Sequence, residues 1–329
     1  MGQNFIIKKN SIKLLLKNNS FIIFMFGVVC FSLIWQKPGL YIKEIGLLQV
    51  FTFVGMFVSG LSLSLKNVKE SVLHYRHILF AFCMSYLILP VLAFALGKVF
   101  FSDQTDLFIG AMIISTQATT VAYAVVITMT AGGNVPLAII ITIINNLCSA
   151  FISPFLLNSA TSVDGRISFD VLSMTLNLAT VMIVPAIIAQ IFRHLFSKYM
   201  QFINPWRKVI SNGVILSFVL IGMSSAALQI MENAKLIPMV LAFAILLHGG
   251  GLLIVLLYHR FARLDSKDLP AILFCSTQKT LTTSTMVWGS YFFQFSMAPI
   301  VLVCYHITQI CMDSFIGGIM QKRLKGTNL

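Results

Sequence analysis

Long apolar stretches alternate with short polar ones along almost the whole of this 329-residue chain. The length of each stretch is close to the length that an α-helix needs to cross the hydrocarbon core of a bilayer, which is about 20 residues. The pattern therefore predicts ten membrane-spanning helices. They are centred on residues 21–35, 46–64, 78–96, 107–126, 135–157, 171–192, 209–228, 236–258, 270–291 and 298–320.

Composition agrees with this pattern. The chain is 58% hydrophobic and only 10% charged, whereas soluble domains carry about 25% charged residues. Its mean hydropathy is +0.91. The predicted fold class is an all-α polytopic membrane protein.

The basic residues orient the predicted helices, because short cytoplasmic loops retain Lys and Arg. With the N-terminus inside, 17 basic residues lie on the cytoplasmic side and 5 on the opposite side. Both termini are then cytoplasmic, and the expected location is the cell membrane. The net charge of +13 is spread over loops, which favours membrane lipid rather than nucleic acid as its neighbour.

Ten spans divide into two runs of five. We expect a basic N-terminal tail at 1–19, a first five-helix repeat at 20–158, a linker loop at 159–170, a second repeat at 171–320 and a C-terminal tail at 321–329. Because five is odd, the second copy enters the membrane from the opposite side. Inverted repeats of this kind are typical of secondary transporters.

Polar residues interrupt spans four and nine at corresponding places in the two halves. Paired interruptions indicate a binding site near the bilayer midplane, because unwound backbone frees amide and carbonyl groups. Ordinary packing of hydroxyl side chains is the alternative for either span alone. The residues are Ser115, Thr116, Gln117, Thr119 and Thr120 in span four, and Ser276, Thr277, Gln278, Lys279, Thr280, Thr282, Thr283 and Ser284 in span nine.

Lys279 is the single basic residue inside an apolar stretch. A charge at that depth costs about 3 kcal/mol on insertion scales, and such residues usually face a polar cavity or a transport pathway. The hypothesis is that its ammonium supplies positive charge to the protein core or to an anionic substrate. The alternative is a structural cation bonded to carbonyls of a broken helix.

Other polar residues lie inside predicted spans. Asn145 and Asn146 are candidates to face the site, although adjacent residues are not expected to point the same way. His306 either relays protons or is a neutral His bonded across helices. His248 precedes three glycines, which favours close helix packing, and Asp313 either pairs with a basic loop residue or has an ion role.

Enzyme chemistry has no candidate set of residues. The chain has no CxxC, Walker A or HExxH sequence, and no carboxylate pair or nucleophile–base set appears in the spans. All six cysteines fall in apolar stretches. We therefore expect a protein that is not an enzyme and has no cofactor or structural metal.

Four short motifs carry a resemblance to a known family. Residues 59–63 read SGLSL, 132–134 read GGN and 274–281 read FCSTQKTL. Tyr305, His306 and Gln309 are similar to a YHPAQ motif. The chain resembles the bile acid:sodium symporter superfamily, and most closely the branch of the vertebrate solute carrier family ten member seven proteins and their bacterial homologues.

The resemblance implies a fold and a site. Spans one, two, six and seven would form a panel domain and the other six a core domain, in which spans four and nine cross as broken helices. In the sodium-coupled members, carboxylate, amide and hydroxyl groups near that crossing bind two sodium ions. Organic anions bind between core and panel.

The chain departs from that pattern at the implied sodium ligands. Cys275 stands at the family's carboxylate position, and Lys279 stands at a glutamine that serves the second ion. A thiol is a poor ligand for a hard cation and an ammonium repels one, so two-sodium coupling is not expected. Coupling to protons, or weakly to sodium, stays open. The remaining aligned positions are Ala124, Val125 and Ala138, which lack ligand groups, and Thr142, which keeps one.

The predicted function is a secondary transporter that moves a small organic anion by alternating access without two-sodium coupling. The alternative is a membrane regulator or scaffold with a transporter fold and no net transport. Candidate ion- and substrate-binding residues are Cys275, Ser276, Thr277, Gln278, Lys279, Thr280, Gln117, Thr119, Thr120, Thr142, Asn145, Asn146, His306 and Gln309.

Overall fold

The computed structural model describes residues 20–62, 74–162, 169–262 and 264–326, and these residues are helical or in short connections, without a strand. The predicted N-terminal tail lies outside the described residues. So do Leu63 of the SGLSL motif, residues 163–168 of the predicted linker loop and the last three residues of the C-terminal tail.

Fourteen helices form in the described ranges. They are α1 (Ser20–Ile34), α2 (Lys37–Glu44), α3 (Leu47–Ser62), α4 (Tyr75–Cys83), α5 (Leu89–Phe100), α6 (Thr105–Thr116), α7 (Val121–Thr130), α8 (Val135–Ser162), α9 (Val171–Leu195), α10 (Met200–Glu232), α11 (Ile237–Ala262), α12 (Asp268–Thr277), α13 (Leu281–Tyr291) and α14 (Ala298–Gly326). A π-helical segment, Met84–Ile88, joins α4 to α5.

Six helical stretches among the described residues are long and apolar enough to cross a membrane. Two bent pairs raise the count to eight: α1 with α2, bent by 91°, and α6 with α7, bent by 63°. The helix α3 is apolar but shorter, and the pair α12 and α13, with its polar centre, is outside this set. The chain is therefore a polytopic helical membrane protein.

The helices can be described as two groups, which contact each other through α8 with α9 and through α10 with α14. In the first, α9 lies against α3, and α10 lies against α1, α2 and α3. In the second, α14 packs against α6, α7, α11 and α13, while α8 packs against α6, α7 and α12. Large apolar side chains on the outer surfaces are exposed, such as Ile187 and Ile191 on α9 and Phe202 on α10. Such a surface suits contact with lipid tails.

Two helices are interrupted where the polar runs lie. Backbone at Gln117 and Thr120 is extended between α6 and α7, and backbone at Gln278 and Thr280 is extended between α12 and α13. Hydroxyl groups just before each break bond carbonyls of the preceding turn, as Thr277 Oγ1 does with Leu273 O at 2.7 Å. These bonds compete with regular helix hydrogen bonding.

The GGN turn connects α7 to α8 and contacts the start of α12. Gly132 has a φ of 72°, a left-handed conformation that favours glycine. A Cβ on Gly133 would lie 2.7 Å from Pro270 Cβ, so only glycine permits this approach. The backbone N–H of Asn134 donates to Lys267 O at 2.6 Å, which holds the beginning of α12 against the turn.

Candidate functional site

The two helix breaks, 117–120 and 278–280, contact each other, and we call this region the junction. The N–H of Thr280 donates to Ala118 O at 2.9 Å. The hydroxyl of Thr120 donates to Lys279 O at 3.0 Å. The polar runs of the two halves, far apart in sequence, therefore form one buried region.

Lys279 lies at the centre of the junction and is completely buried. Its Nζ donates to Ser85 O at 2.7 Å and to Gln117 O at 2.9 Å. It also lies 5.5 Å from the centre of the Tyr86 ring, within the range of a cation–π contact. Within the described ranges, Lys279 forms no ion pair with an acidic side chain, so dipoles rather than a counter-charge solvate the ammonium.

Both carbonyls that bind Lys279 lie where regular helix ends. Gln117 is in the first break, and Ser85 is in the π-helical segment. Departures from α-helical hydrogen bonding release carbonyl groups. In membrane proteins such groups commonly coordinate cations. The amino group of Lys279 thus bonds two carbonyls of the kind that coordinate free cations in other membrane proteins.

Gln309 on α14 completes the backbone bonding of Lys279. Its Oε1 accepts from Lys279 N at 2.8 Å, and its Nε2 donates to Lys279 O at 2.8 Å. A second Nε2 hydrogen points to His306 Nδ1 at 2.9 Å. His306 is therefore hydrogen-bonded to Gln309, which lies one turn further along α14.

Side chains satisfy most of the other carbonyls at the end of α12. Thr119 Oγ1 donates to Cys275 O at 2.5 Å, and Ser85 Oγ donates to Ser276 O at 3.0 Å. The hydroxyl of Tyr305 donates to Thr277 O at 3.0 Å. Unwound backbone is tolerated at membrane depth when protein groups satisfy it in this way.

Asn145 and Asn146 both reach the first break, which corrects the expectation that only one of them would. Asn145 Nδ2 donates to Thr119 Oγ1 at 3.0 Å, and Asn146 Nδ2 donates to Thr119 O at 3.0 Å. The amide of Asn146 also bonds Thr142 O on its own helix at 2.9 Å. The side chain of Asn146 extends toward the preceding turn of α8. Its amide therefore reaches the first break, although neighbouring positions on a helix point in different directions.

The residues aligned with one family sodium site also come together. Cys275 Sγ lies 3.6 Å from both Thr142 Oγ1 and Ala138 O. Thr142 Oγ1 itself donates to Ala138 O at 2.6 Å. The group is buried, and its side chains contribute a thiol, a hydroxyl and a methyl group, with no carboxylate.

A buried hydrogen-bond network of Asp313, His248, Gln278 and Tyr305 lies beside the junction, and it was not predicted from the sequence. Asp313 Oδ1 lies 2.9 Å from His248 Nε2, and Asp313 Oδ2 accepts from Gln278 Nε2 at 2.7 Å. His248 Nδ1 lies 3.3 Å from the Tyr305 hydroxyl. Asp313 thus pairs with a histidine and a glutamine of other helices, and not with a basic loop residue. The sequence contains one signal from which this pairing could have been predicted: the apolar spans hold one acid and few histidines, and buried charges require partners.

The glycines after His248 do serve close packing, as expected. A Cβ on Gly251 would lie 2.8 Å from Leu89 Cδ2 and 3.3 Å from Thr277 Cγ2. The helix α11 therefore approaches α5 and α12 closely, and this approach brings His248 to the network.

Some buried polar atoms at the junction have no hydrogen-bond partner among the described residues. Both amide atoms of Gln117 are in this state, as are Gln278 Oε1, His306 Nε2 and Thr283 Oγ1. More than about 90% of buried polar groups in proteins are bonded. These atoms are accordingly the groups best able to contact a solute, an ion or water.

Every site residue predicted from the sequence lies at the junction or in the polar contacts that border it. Interrupted helices with polar groups at their breaks, in a polytopic helical protein, are typical of membrane transporters. The chain belongs to the SBF-like CPA transporter family, whose model matches residues 19–322.

Relatives agree with this membership. The chain is 24% identical to sodium/bile acid cotransporter 7 of Danio rerio over 85% of each chain. It is 26% identical to the probable chloroplastic sodium/metabolite cotransporter BASS4 of Arabidopsis thaliana, over 83% of this chain and 66% of that protein. An uncharacterized protein of Pseudomonas aeruginosa is 24% identical over 79% of this chain and 80% of its own length. The resemblance to the bile acid:sodium symporter superfamily and its member seven branch is confirmed.

Proposed function

We propose that this protein is a secondary transporter of a small organic anion that works by alternating access without two-sodium coupling. The observation that carries the proposal is the buried Lys279 ammonium, bonded to the carbonyls of Ser85 and Gln117. A cation delivered by the protein at interrupted helices can take over the charge that a bound metal ion would provide.

The proposed architecture is ten spans in two inverted five-helix repeats. The packing group of α1, α2, α3, α9 and α10 would be the panel, and the remaining helices would be the core that carries the junction. Movement of the core against the panel would expose the junction alternately to each side of the membrane. The domain limits proposed are those of the sequence prediction, with repeats at 20–158 and 171–320.

An anionic substrate suits the electrostatics of the junction. The helices α7 and α13 begin at Val121 and Leu281, immediately after the two breaks. Helix N-termini carry positive partial charge and free N–H groups, which favour carboxylate or sulfate groups. The protonated form of Lys279 adds a positive charge beside them. Two relatives, the sodium/bile acid cotransporter 7 of Danio rerio and the probable sodium/metabolite cotransporter BASS4 of Arabidopsis thaliana, support a small organic solute.

Two-sodium coupling is disfavoured by the donor groups. A soft thiol at Cys275 and a methyl group at Ala138 stand where hard oxygen ligands would be required. Lys279 would repel a cation at the second position. The buried pair of His248 and Asp313, whose nearest atoms are 2.9 Å apart, supports proton coupling. Weak sodium coupling through Thr142 is the competing outcome.

Flux measurements in proteoliposomes test this proposal. Uptake of a labelled bile acid, and of a panel of small carboxylates, is compared in sodium and in choline buffer at matched ionic strength. We expect uptake that is independent of sodium or follows pH. A steep, saturable dependence of uptake on sodium, with a Hill coefficient of about two, would contradict the proposal that transport is not coupled to two sodium ions. Absence of flux for every anion would favour the regulator or scaffold function.

Substitution of Lys279 isolates its role. Lys279→Gln and Lys279→Ala should lower uptake by about tenfold or more, since the charge at the junction is lost. Lys235→Gln removes an exposed lysine and is the matched control. Unchanged uptake and unchanged pH dependence in folded Lys279 variants would leave the residue with a structural role only.

A further inference from the structure

Two histidines and an aspartate converge away from the junction. His74 and His77 are one helical turn apart at the start of α4, and Asp268 is the first residue of α12. Nδ1 of His74 lies 3.0 Å from Asp268 Oδ2, and Nδ1 of His77 lies 3.5 Å from the same oxygen. The three ligand atoms all lie within 4.8 Å of one another.

These separations match a metal coordination shell. Metal–ligand distances of about 2.0–2.1 Å in a tetrahedral zinc site place neighbouring ligand atoms about 3.3 Å apart. A second observation is the bonding of His77: its Nδ1 is buried yet forms no hydrogen bond with any described residue. At 3.5 Å from the carboxylate, the Nδ1 position suits a shared ion better than a direct hydrogen bond.

Asn134 fixes the orientation of the carboxylate. Its Nδ2 donates to Asp268 Oδ1 at 2.8 Å, while its Oδ1 accepts from Leu137 N at 3.0 Å. The backbone N–H of Asn134 is bonded to Lys267 O. One carboxylate oxygen is thus occupied, and the other faces the two imidazoles. Supporting hydrogen bonds of this type orient metal ligands in proteins.

Access to the cluster comes from a cleft of about 570 Å³ that is lined by the three residues and by Asn134 and Asp265. Side chains of His74 and His77 are 37% and 22% exposed, whereas Asp268 is 6% exposed. The three side chains therefore border the cleft, from which water or Asp265 would supply a further ligand.

We propose that His74, His77 and Asp268 bind one divalent transition-metal ion of the zinc class. Two imidazole nitrogens and one carboxylate oxygen suit Zn²⁺, Co²⁺ or Ni²⁺, whereas Ca²⁺ and Mg²⁺ require more oxygen ligands. The bound ion links the start of α4 to the start of α12, and Asn134 extends the link to the GGN turn. The site does not depend on the proposed transport function.

Zinc titration of the purified full chain tests the proposal. Calorimetry with ZnCl₂ alone should give about one ion per chain at neutral pH, and the thermal unfolding midpoint should rise with the logarithm of the Zn²⁺ concentration. Affinity should fall at about pH 5.5, because protonated imidazoles do not bind metal. Visible absorption of bound Co²⁺ reports the ligand geometry independently.

Variants identify the ligands. His77→Ala and His74→Ala should each weaken Zn²⁺ binding by about tenfold or more, and Asp268→Asn should do the same if it folds. His194→Ala removes an exposed histidine at the end of α9 and should bind like the unmodified chain. Equal binding in His77→Ala and His194→Ala, at unchanged metal-free unfolding midpoints, would overturn the proposal, as would binding abolished only by cysteine substitution.

Discussion

At the scale of single residues, the burial of Lys279 is explained by its acceptors. Taking an ammonium out of water costs several kcal/mol unless other dipoles replace the solvent. Two backbone carbonyls at 2.7 and 2.9 Å and the Tyr86 ring supply this replacement. The neighbouring acid, Asp313, is stabilised differently, because His248 and Gln278 both contact its carboxylate.

Asp313→Asn tests that network. The carboxylate accepts on both oxygens, whereas an asparagine presents an amide nitrogen to one of the two donors and leaves that donor unsatisfied. We expect a loss of about 3 kcal/mol in the free energy of unfolding, measured by thermal or denaturant unfolding in detergent. Asp103→Asn, at an exposed position, should change it by less than about 0.5 kcal/mol. A loss equally small at Asp313 would contradict the buried pairing.

At the scale of helices, the contact between α6 and α14 depends on one glycine. A Cβ on Gly110 would lie 2.6 Å from Ala298 O and 3.1 Å from Ala298 Cα. Both are backbone atoms and cannot rotate away. The helix α6 leads into the first break, so this close approach fixes where the break lies.

Gly110→Ala should therefore separate α6 from α14 and destabilise the protein by about 1–3 kcal/mol. Gly318→Ala on α14 is the matched control, since no described atom lies within 4 Å of its added Cβ. The control should be neutral or stabilising by up to about 1 kcal/mol. The comparison uses the thermal unfolding midpoints of the two purified variants. Equal midpoints would contradict the close contact between Gly110 and Ala298.

At the scale of the whole molecule, the charge distribution predicts the orientation in the membrane. Single cysteines introduced at Ser197 and Gly326 should be labelled from the cytoplasm, as should Ser11 and Lys69, which lie outside the described residues. Cysteines at Thr105, Ser162 and Asn233 should be labelled from the opposite side. The expectation follows from the bias of 17 to 5 basic residues. Reversed accessibility at any two positions would overturn the ten-span topology.

The sequence by itself determined the class of the protein. The hydropathy pattern has a local physical cause, because each stretch that crosses lipid must satisfy its backbone hydrogen bonds within its own helix. Class, family and the two polar runs were therefore readable from the order of residues. Lys279 was identified in the same way, since an isolated charge in an apolar stretch is visible without coordinates.

Only the tertiary structure decided which groups those residues contact. Whether Lys279 faces an acid or carbonyls depends on the breaks meeting the π-helical segment. Pairing of His248 with Asp313, and of the histidines near residue 75 with Asp268, joins positions far apart in the chain. Such contacts are set by helix packing and by the approach distances that glycines allow. A local pattern of residues contains no information on these distances. For this reason, the network of His248 and Asp313 and the cluster of His74, His77 and Asp268 could be seen only in the fold.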